Sequence, residues 1–312
     1  MTGPLRIPPA EVIAALARAV TGNSTGSTVD TVLFSIRLPR IGAAALVGGC
    51  LAAAGSAYQT LFRNPLVSPD ILGVSTGAGF GAVLGILLAL PVAGIQFLAF
   101  LGGVATVGAV IGLASAIRAQ NALLVLVLSG IVVGALANSA IALVKVLADP
   151  YDQLPAITFW LLGSLARVKS VDLLSALPAV VIGIVPLVAL RWRIGVLALG
   201  EDEARTLGIN AGLLRFVVIA AATLITASTV AISGVVGWVG LMVPHMARLL
   251  VGPRFDRLLP VSILLGVAFM VGVDTIARNA ARVEIPLGVL TAIVGAPIFV
   301  WLLARGRRAW TA

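Results

Sequence analysis

The sequence predicts an all-α, polytopic bundle of transmembrane helices, and three observations predict it. Of its 312 residues, 60% are hydrophobic and only 11% charged, where a soluble domain is about half apolar and about a quarter charged. Mean hydropathy is +1.13, more apolar surface than a water-soluble fold of this size can hide. The apolar residues also fall in runs close to the roughly 20 residues that a helix needs to cross a bilayer core. The 34 glycines suit the close backbone approach of membrane helices.

Taken in order, residues 1–40 read as an external segment without a span or a secretory leader. It holds a short amphipathic helix, Pro9 to Val20, and a Gly/Ser/Thr-rich turn from Thr21 to Thr28. The membrane domain, 41–305, then contains about nine spans, near 41–61, 71–90, 94–117, 122–147, 172–190, 212–233, 236–251, 258–278 and 287–304. The run 236–251 is short and interrupted by glycine and proline, which predicts a broken helix. Pro155 to Arg167 reads as a shorter helix at one membrane face, and 306–312 as a basic tail.

Sidedness follows from the basic residues. Of 21 Lys and Arg, twelve lie on the side that carries the loop 191–215 and the C-terminus, and nine on the other. The richer side is predicted to be cytoplasmic. Nine spans then leave the N-terminus outside, which predicts a further helix upstream of the given start.

The composition also narrows the chemistry. The net charge of +9 is dispersed at membrane edges, so it does not predict nucleic-acid binding. One His and one Cys provide neither a multi-histidine metal site nor a disulfide framework, and no catalytic grouping or metal site is predicted. The phosphate-binding pattern G-x-x-x-x-G-K-[ST] is absent, so any nucleotide chemistry belongs to another chain. Gly73 to Gly79 is glycine-rich without a lysine and reads as helix packing. Lys145 and Asp274 lie near the outer ends of their spans. A stand-alone secondary transporter or channel remains the alternative, although an ion-driven carrier usually places charge at mid-depth.

In the conspicuous loop 191–215, Gly200-Glu201-Asp202-Glu203-Ala204-Arg205 predicts a short helix with acids at its N-terminal end. Gly208, after Leu207, is its stop. On the span 122–147, Ser129, Asn138 and Ser139 are the polar residues. Ser129 and Asn138 are nine apart and so fall on opposite sides of the helix.

Several segments, in order along the chain, resemble the permease subunits of ABC importers for vitamin B12, ferric siderophores and haem, the FecCD type. They are Arg37-Leu38-Pro39-Arg40, the run from Gln59 to Leu66 with Arg63-Asn64-Pro65, Leu72-Gly73-Val74-Ser75 and Phe159 to Leu165. The rest are Leu199 to Gly208, Gly240 to Arg248, Asp256 to Pro260, Ile285 to Thr291 and Gly295 to Phe299. The resemblance implies ten helices, of which the first is missing here. It implies a homodimer around a central path in the bacterial or archaeal plasma (inner) membrane. It implies two cytoplasmic ATPase subunits, which bind the ATP and Mg, with no cofactor on this chain, and an external binding protein. By the same resemblance, Gly200 to Gly208 is the ATPase-coupling helix, and Arg37, Arg40 and Arg278 are exposed cations that dock the binding protein. Asn121, Ala122 and Leu123 then form the cytoplasmic gate, Asp149 to Pro155 the outer gate, and Asn138 and Ser139 line the path. The cargo it implies is an iron complex first, with haem, cobalamin and molybdate open.

Overall fold

A computed structural model describes residues 7–21, 27–117, 122–281 and 283–306. Among them every regular element is helical, and no strand occurs. The short helix α1 (Pro9–Val20) starts on a proline, which is tolerated where the first amide has no helical partner. It turns Val12 and Ala15 onto Leu33, and Arg18 pairs with the buried Asp30 at 3.0 Å. Then α2 (Thr28–Thr31), capped by the Ser27 hydroxyl, runs through a π-helical turn, Val32–Arg37, into α3 (Leu38–Leu61). The helix is therefore continuous over Thr28–Leu61. It runs across the expected boundary at 40/41: three uninterrupted turns precede that point, and no glycine or internal proline falls among residues 28–38 to break them.

A 3₁₀ turn, Pro69–Leu72, and Gly73 at φ 76° lead into α4 (Val74–Leu87). Next come α5 (Val92–Ala116), α6 (Ala122–Leu147), the short α7 (Gln153–Leu162) and α8 (Ser170–Ala189). Gly163, at φ 74°, ends α7 before the expected limit at Arg167, because a left-handed residue does not continue a helix. Then α9 (Arg191–Leu197), which falls inside the predicted loop 191–215, and α10 (Glu201–Thr206) precede α11 (Ala211–Ser233). The chain closes with α12 (Val239–Val251), α13 (Phe255–Asn279) and α14 (Leu287–Gly306). The predicted short span is α12, which begins only after an irregular stretch over 234–238 and then runs unbroken through Pro244, so the expected break falls before the helix and not within it.

Burial divides the spans. In the apolar windows of Thr28–Leu61 and Ala211–Ser233, 78% of residues are buried, against 22% in α5, α6 and α8. The first two helices form the centre, and the others turn apolar residues outward, as with Leu128, Ile131 and Leu136 on α6 and Val181, Ile182 and Val185 on α8. Among the described residues, six helices are long and apolar enough to cross a membrane, and the shorter α4, α7, α12 and α14 are apolar too.

The central α3 can lie against both α12 and α13 because its contact residues are glycines. A Cβ on Gly55 would run into the carbonyl of Gly240, and one on Gly48 into that of Gly266. In lipid the apolar effect does not hold helices together, so this close backbone packing is what does. The glycines of α4 serve the same end: Gly77 sits against Thr106 and Gly102 of α5.

Candidate functional site

At the end of the bundle where α8 passes to α11, the predicted short helix is α10. Its acids fill the first turn, where the helix dipole favours them. Gly208 takes φ 73°, its amide donates to the Arg205 carbonyl at 2.9 Å, and Ile209 donates to the Ala204 carbonyl at 2.9 Å. That left-handed closure stops the helix where the sequence predicts.

Ala204 faces inward, fully buried, while Asp202, Glu203, Arg205 and Leu207 are exposed. Gly200, buried, precedes the first turn. Glu201 forms an ion pair with Arg215, in the second turn of α11. Arg205 lies 3.8 Å from both Glu201 and Asp202. The Asn210 side chain caps α11 by accepting from the Leu213 amide at 3.0 Å. Glu201, Arg205, Asn210 and Arg215 line a cleft of about 570 Å³ between the two helices. α10 is thus tied to α11 by the Glu201–Arg215 pair and packs on α9 as well, with Asp202, Glu203 and Leu207 presented to solvent. Arg215 was not singled out from the sequence. The signal available was its place one turn inside a span, where a cation needs a partner.

At the opposite end of the bundle, two of the three predicted docking arginines, Arg40 and Arg278, come together with two acids. Asp274 of α13 is almost fully buried. The Arg40 Nε donates to it at 2.9 Å, while Nη1 and Nη2 reach the two carboxylate oxygens of Glu284 at 3.0 and 2.6 Å. Arg278 meets Asp274 at 3.1 Å from the other side. Arg37 is buried as well. The expectation of three exposed cations is corrected. The π turn and the first turn of α3 carry Arg37 and Arg40 inward, where the acids of α13 and of the α13–α14 link neutralise Arg40. A buried cation is stable only when paired in this way.

Glu284 had been passed over. It and Asp274 are the two acids that follow Asp256 in an otherwise apolar stretch, and that sparseness was the signal that each has a partner. Around it the links converge. The Ser164 hydroxyl donates to Glu284 at 3.3 Å, the Ser164 amide to the Ser233 carbonyl at 2.8 Å, and the Leu287 amide to the Gly163 carbonyl at 2.9 Å.

Along α6, Ala122 is exposed and Leu123 half-buried at the start of the helix. Asn121 lies outside the described residues. Asn138 and Ser139 are exposed, and the Ser139 hydroxyl bonds the Ala135 carbonyl at 3.0 Å. Ser129 is buried on the other side, as the nine-residue spacing requires. An exposed Asn amide in an apolar span is costly in lipid, so this strip of α6 suits water or another protein surface. Between α6 and α7, the predicted outer turn is ordered by Asp149, whose carboxylate accepts from the amides of Tyr151 and Asp152, both at 2.9 Å.

The model of the FecCD transport family matches residues 1–305. The chain is 40% identical to the molybdate import system permease protein MolB of Haemophilus influenzae, over 88% of this chain and 82% of that one. It is 39% identical to a Helicobacter pylori protein described as an iron chelatin transport system permease, over 91% of this chain and 86% of that one. A solved structure described as an inward-facing metal-chelate type ABC transporter superposes with a TM-score of 0.84 at 35% identity, covering 96% of this chain and all of the other. The chain therefore belongs to the FecCD transport family, as an ABC importer permease: a multi-pass membrane transport protein and not an enzyme.

Proposed function

We propose that this chain is the path-forming subunit of a binding-protein-dependent importer of an iron complex, in the plasma (inner) membrane of a bacterium or archaeon. Two copies enclose the path, and two separate cytoplasmic ATPase subunits bind the ATP and Mg. The observation that carries the reading is the mounting of α10. Ala204 is buried and Glu201 is tied to Arg215 of α11, while Asp202, Glu203, Arg205 and Leu207 are exposed. An exposed polar rim around one apolar side chain, fixed to a long span, suits a lever that takes force from a partner. Movement of the partner would pass through the Glu201–Arg215 pair into α11, one of the two central helices, and switch the path as a rigid-body transition.

The path runs beside α6. Ala122 and Leu123 stand at its cytoplasmic end, and Asn138 and Ser139 lie toward the outer end. The external binding protein docks over the end of the bundle that carries Arg37, Arg40 and Arg278. Iron-complex cargo is supported by the Helicobacter relative and by the metal-chelate class of the solved neighbour. Molybdate is the second reading, favoured by the Haemophilus relative.

The test is reconstitution of the chain with its ATPase and binding protein in vesicles, with uptake of a radiolabelled ferric siderophore and of labelled molybdate measured side by side. ATP-dependent siderophore uptake is the expected result. Molybdate uptake alone would replace the cargo. Uptake driven by an ion gradient without ATP would replace the importer reading with the secondary transporter.

A further inference from the structure

The ten-residue α7 packs on α4 and shares an apolar cluster with the outer part of α6, at the end of the bundle opposite α10. Its buried side is Ile157, packed with Val83 of α4 and with Ile141 and Val144 of α6. At its start, the Gln153 side chain donates to the Leu87 carbonyl at 3.1 Å. At its finish is Gly163, at φ 74°, a conformation that glycine adopts readily and other residues do not. Anchors beyond that joint hold the end of α7 in place. Two are the backbone bonds of Ser164 to Ser233 and of Leu287 to Gly163. The third is the Ser164 hydroxyl on Glu284, and Glu284 is gripped by both terminal nitrogens of Arg40.

The two carboxylates on Arg40 differ in kind. The Asp274 side chain is 2% exposed and that of Glu284 28%. Separating a charge from its partner in a buried site leaves it uncompensated, whereas a solvent-reachable carboxylate exchanges its partner for water at far lower cost. The Arg40–Asp274 half is therefore fixed, and the Arg40–Glu284 half can open and close.

We propose that Glu284, held by Arg40, is a positioning residue for the outer gate. It clamps the α7 joint so that α7 stays shut over the end of α6, and release of its carboxylate from Arg40 lets α7 lift. This rests on the reading of α6 as the wall of the path. It assigns the gate's control to a residue far from α7 in sequence and outside the predicted docking set.

The test uses the full chain in lipid nanodiscs, with Cys50, the single cysteine, replaced by Ala. An Ile157→Cys thiol then reports on the buried face of α7 through its rate of reaction with a water-soluble maleimide. Adding Glu284→Gln is expected to raise that rate about tenfold, because local opening at the joint becomes easier. Glu284→Asp should restore much of the slow rate, since it keeps a carboxylate for Arg40. A second reporter, Leu187→Cys on the buried side of α8, should label equally slowly in both backgrounds. An unchanged rate at position 157, or an equal rise at both positions, would overturn the assignment. Ser164→Ala, which removes one anchor and leaves both ion pairs, should give a smaller rise and serves if the Gln variant fails to fold. Labelling does not depend on uptake, so a failed gate assignment is distinguishable from a failed path reading, which the uptake of an Asn138→Leu variant decides.

Discussion

The guanidinium of Arg215, in the second turn of α11, forms an ion pair with the carboxylate of Glu201, the first residue of α10. That contact links the short exposed helix to one of the two most buried spans of the bundle. Glu201 is 40% exposed, so the pair adds little to stability, on the order of 1 kcal/mol or less. Its proposed value is mechanical.

Arg215→Ala should therefore leave the melting temperature within a few degrees of the parent, a shift of about 2–4 °C or less for a chain of this size. Uptake in reconstituted vesicles should fall about tenfold while ATP hydrolysis continues, the pattern of lost coupling rather than lost folding. A parallel loss of both activities would place Arg215 in the fold instead.

Reversing the exposed rim tests the same helix from the other side. Glu201, Asp202 and Glu203 changed together to Lys put three cations at the start of α10, where the helix dipole disfavours them. Uptake is expected to stop, with the permease still inserted and monodisperse. Normal uptake in vesicles would remove α10 from the docking surface.

Asp274→Asn addresses the buried ion cluster. It removes the charge that Arg40 and Arg278 share, and breaking a buried pair costs about 3–5 kcal/mol. Thermal unfolding in detergent should show a large fall, whereas the half-exposed Glu284 should tolerate Gln much better. Equal losses at both positions would contradict the division into fixed and exchangeable halves.

Gly55→Ala places a methyl group against the Gly240 carbonyl. Overpacking of this kind costs about 1–3 kcal/mol, so the variant should melt lower. Gly112→Ala meets nothing within 4 Å and should melt like the parent. The difference between the two, measured in one detergent, checks that α3 touches α12 through its glycine face.

Asn138→Leu should lower uptake several-fold without affecting assembly, since it makes the exposed strip of α6 uniformly apolar. Wild-type uptake would instead assign that strip to lipid or to a subunit contact.

Much of this architecture was legible in residue order. The span 122–147 predicted from apolar length is α6, residue for residue, and Pro9 to Val20 is α1. Gly208 stops α10 where its type predicts. These features are local: a run of apolar residues, a proline at a first turn and a glycine past a last turn each act within a few positions of themselves. The opposite-side placement of Ser129 and Asn138 was legible for the same reason, because helical periodicity is a local property. The limits of α3 and α7 were less so, since a polar start does not by itself stop a helix and Arg167 does not by itself extend one.

The sequence by itself determined that the chain is a helical membrane protein, where most of its spans lie and that one short acidic helix stands out from them. Only the tertiary structure decided what its few charges do. Arg40 meets Asp274 across 234 positions and Glu284 across 244, and the pattern around any one of them does not specify such a pairing. An arginine at a helix end can face water, a lipid headgroup or a buried acid, and the choice depends on which helices pack beside it. Here the glycine-lined contacts of α3 bring α13 close enough for Asp274 to reach Arg40, and Arg40, predicted to be exposed, becomes part of an internal clamp.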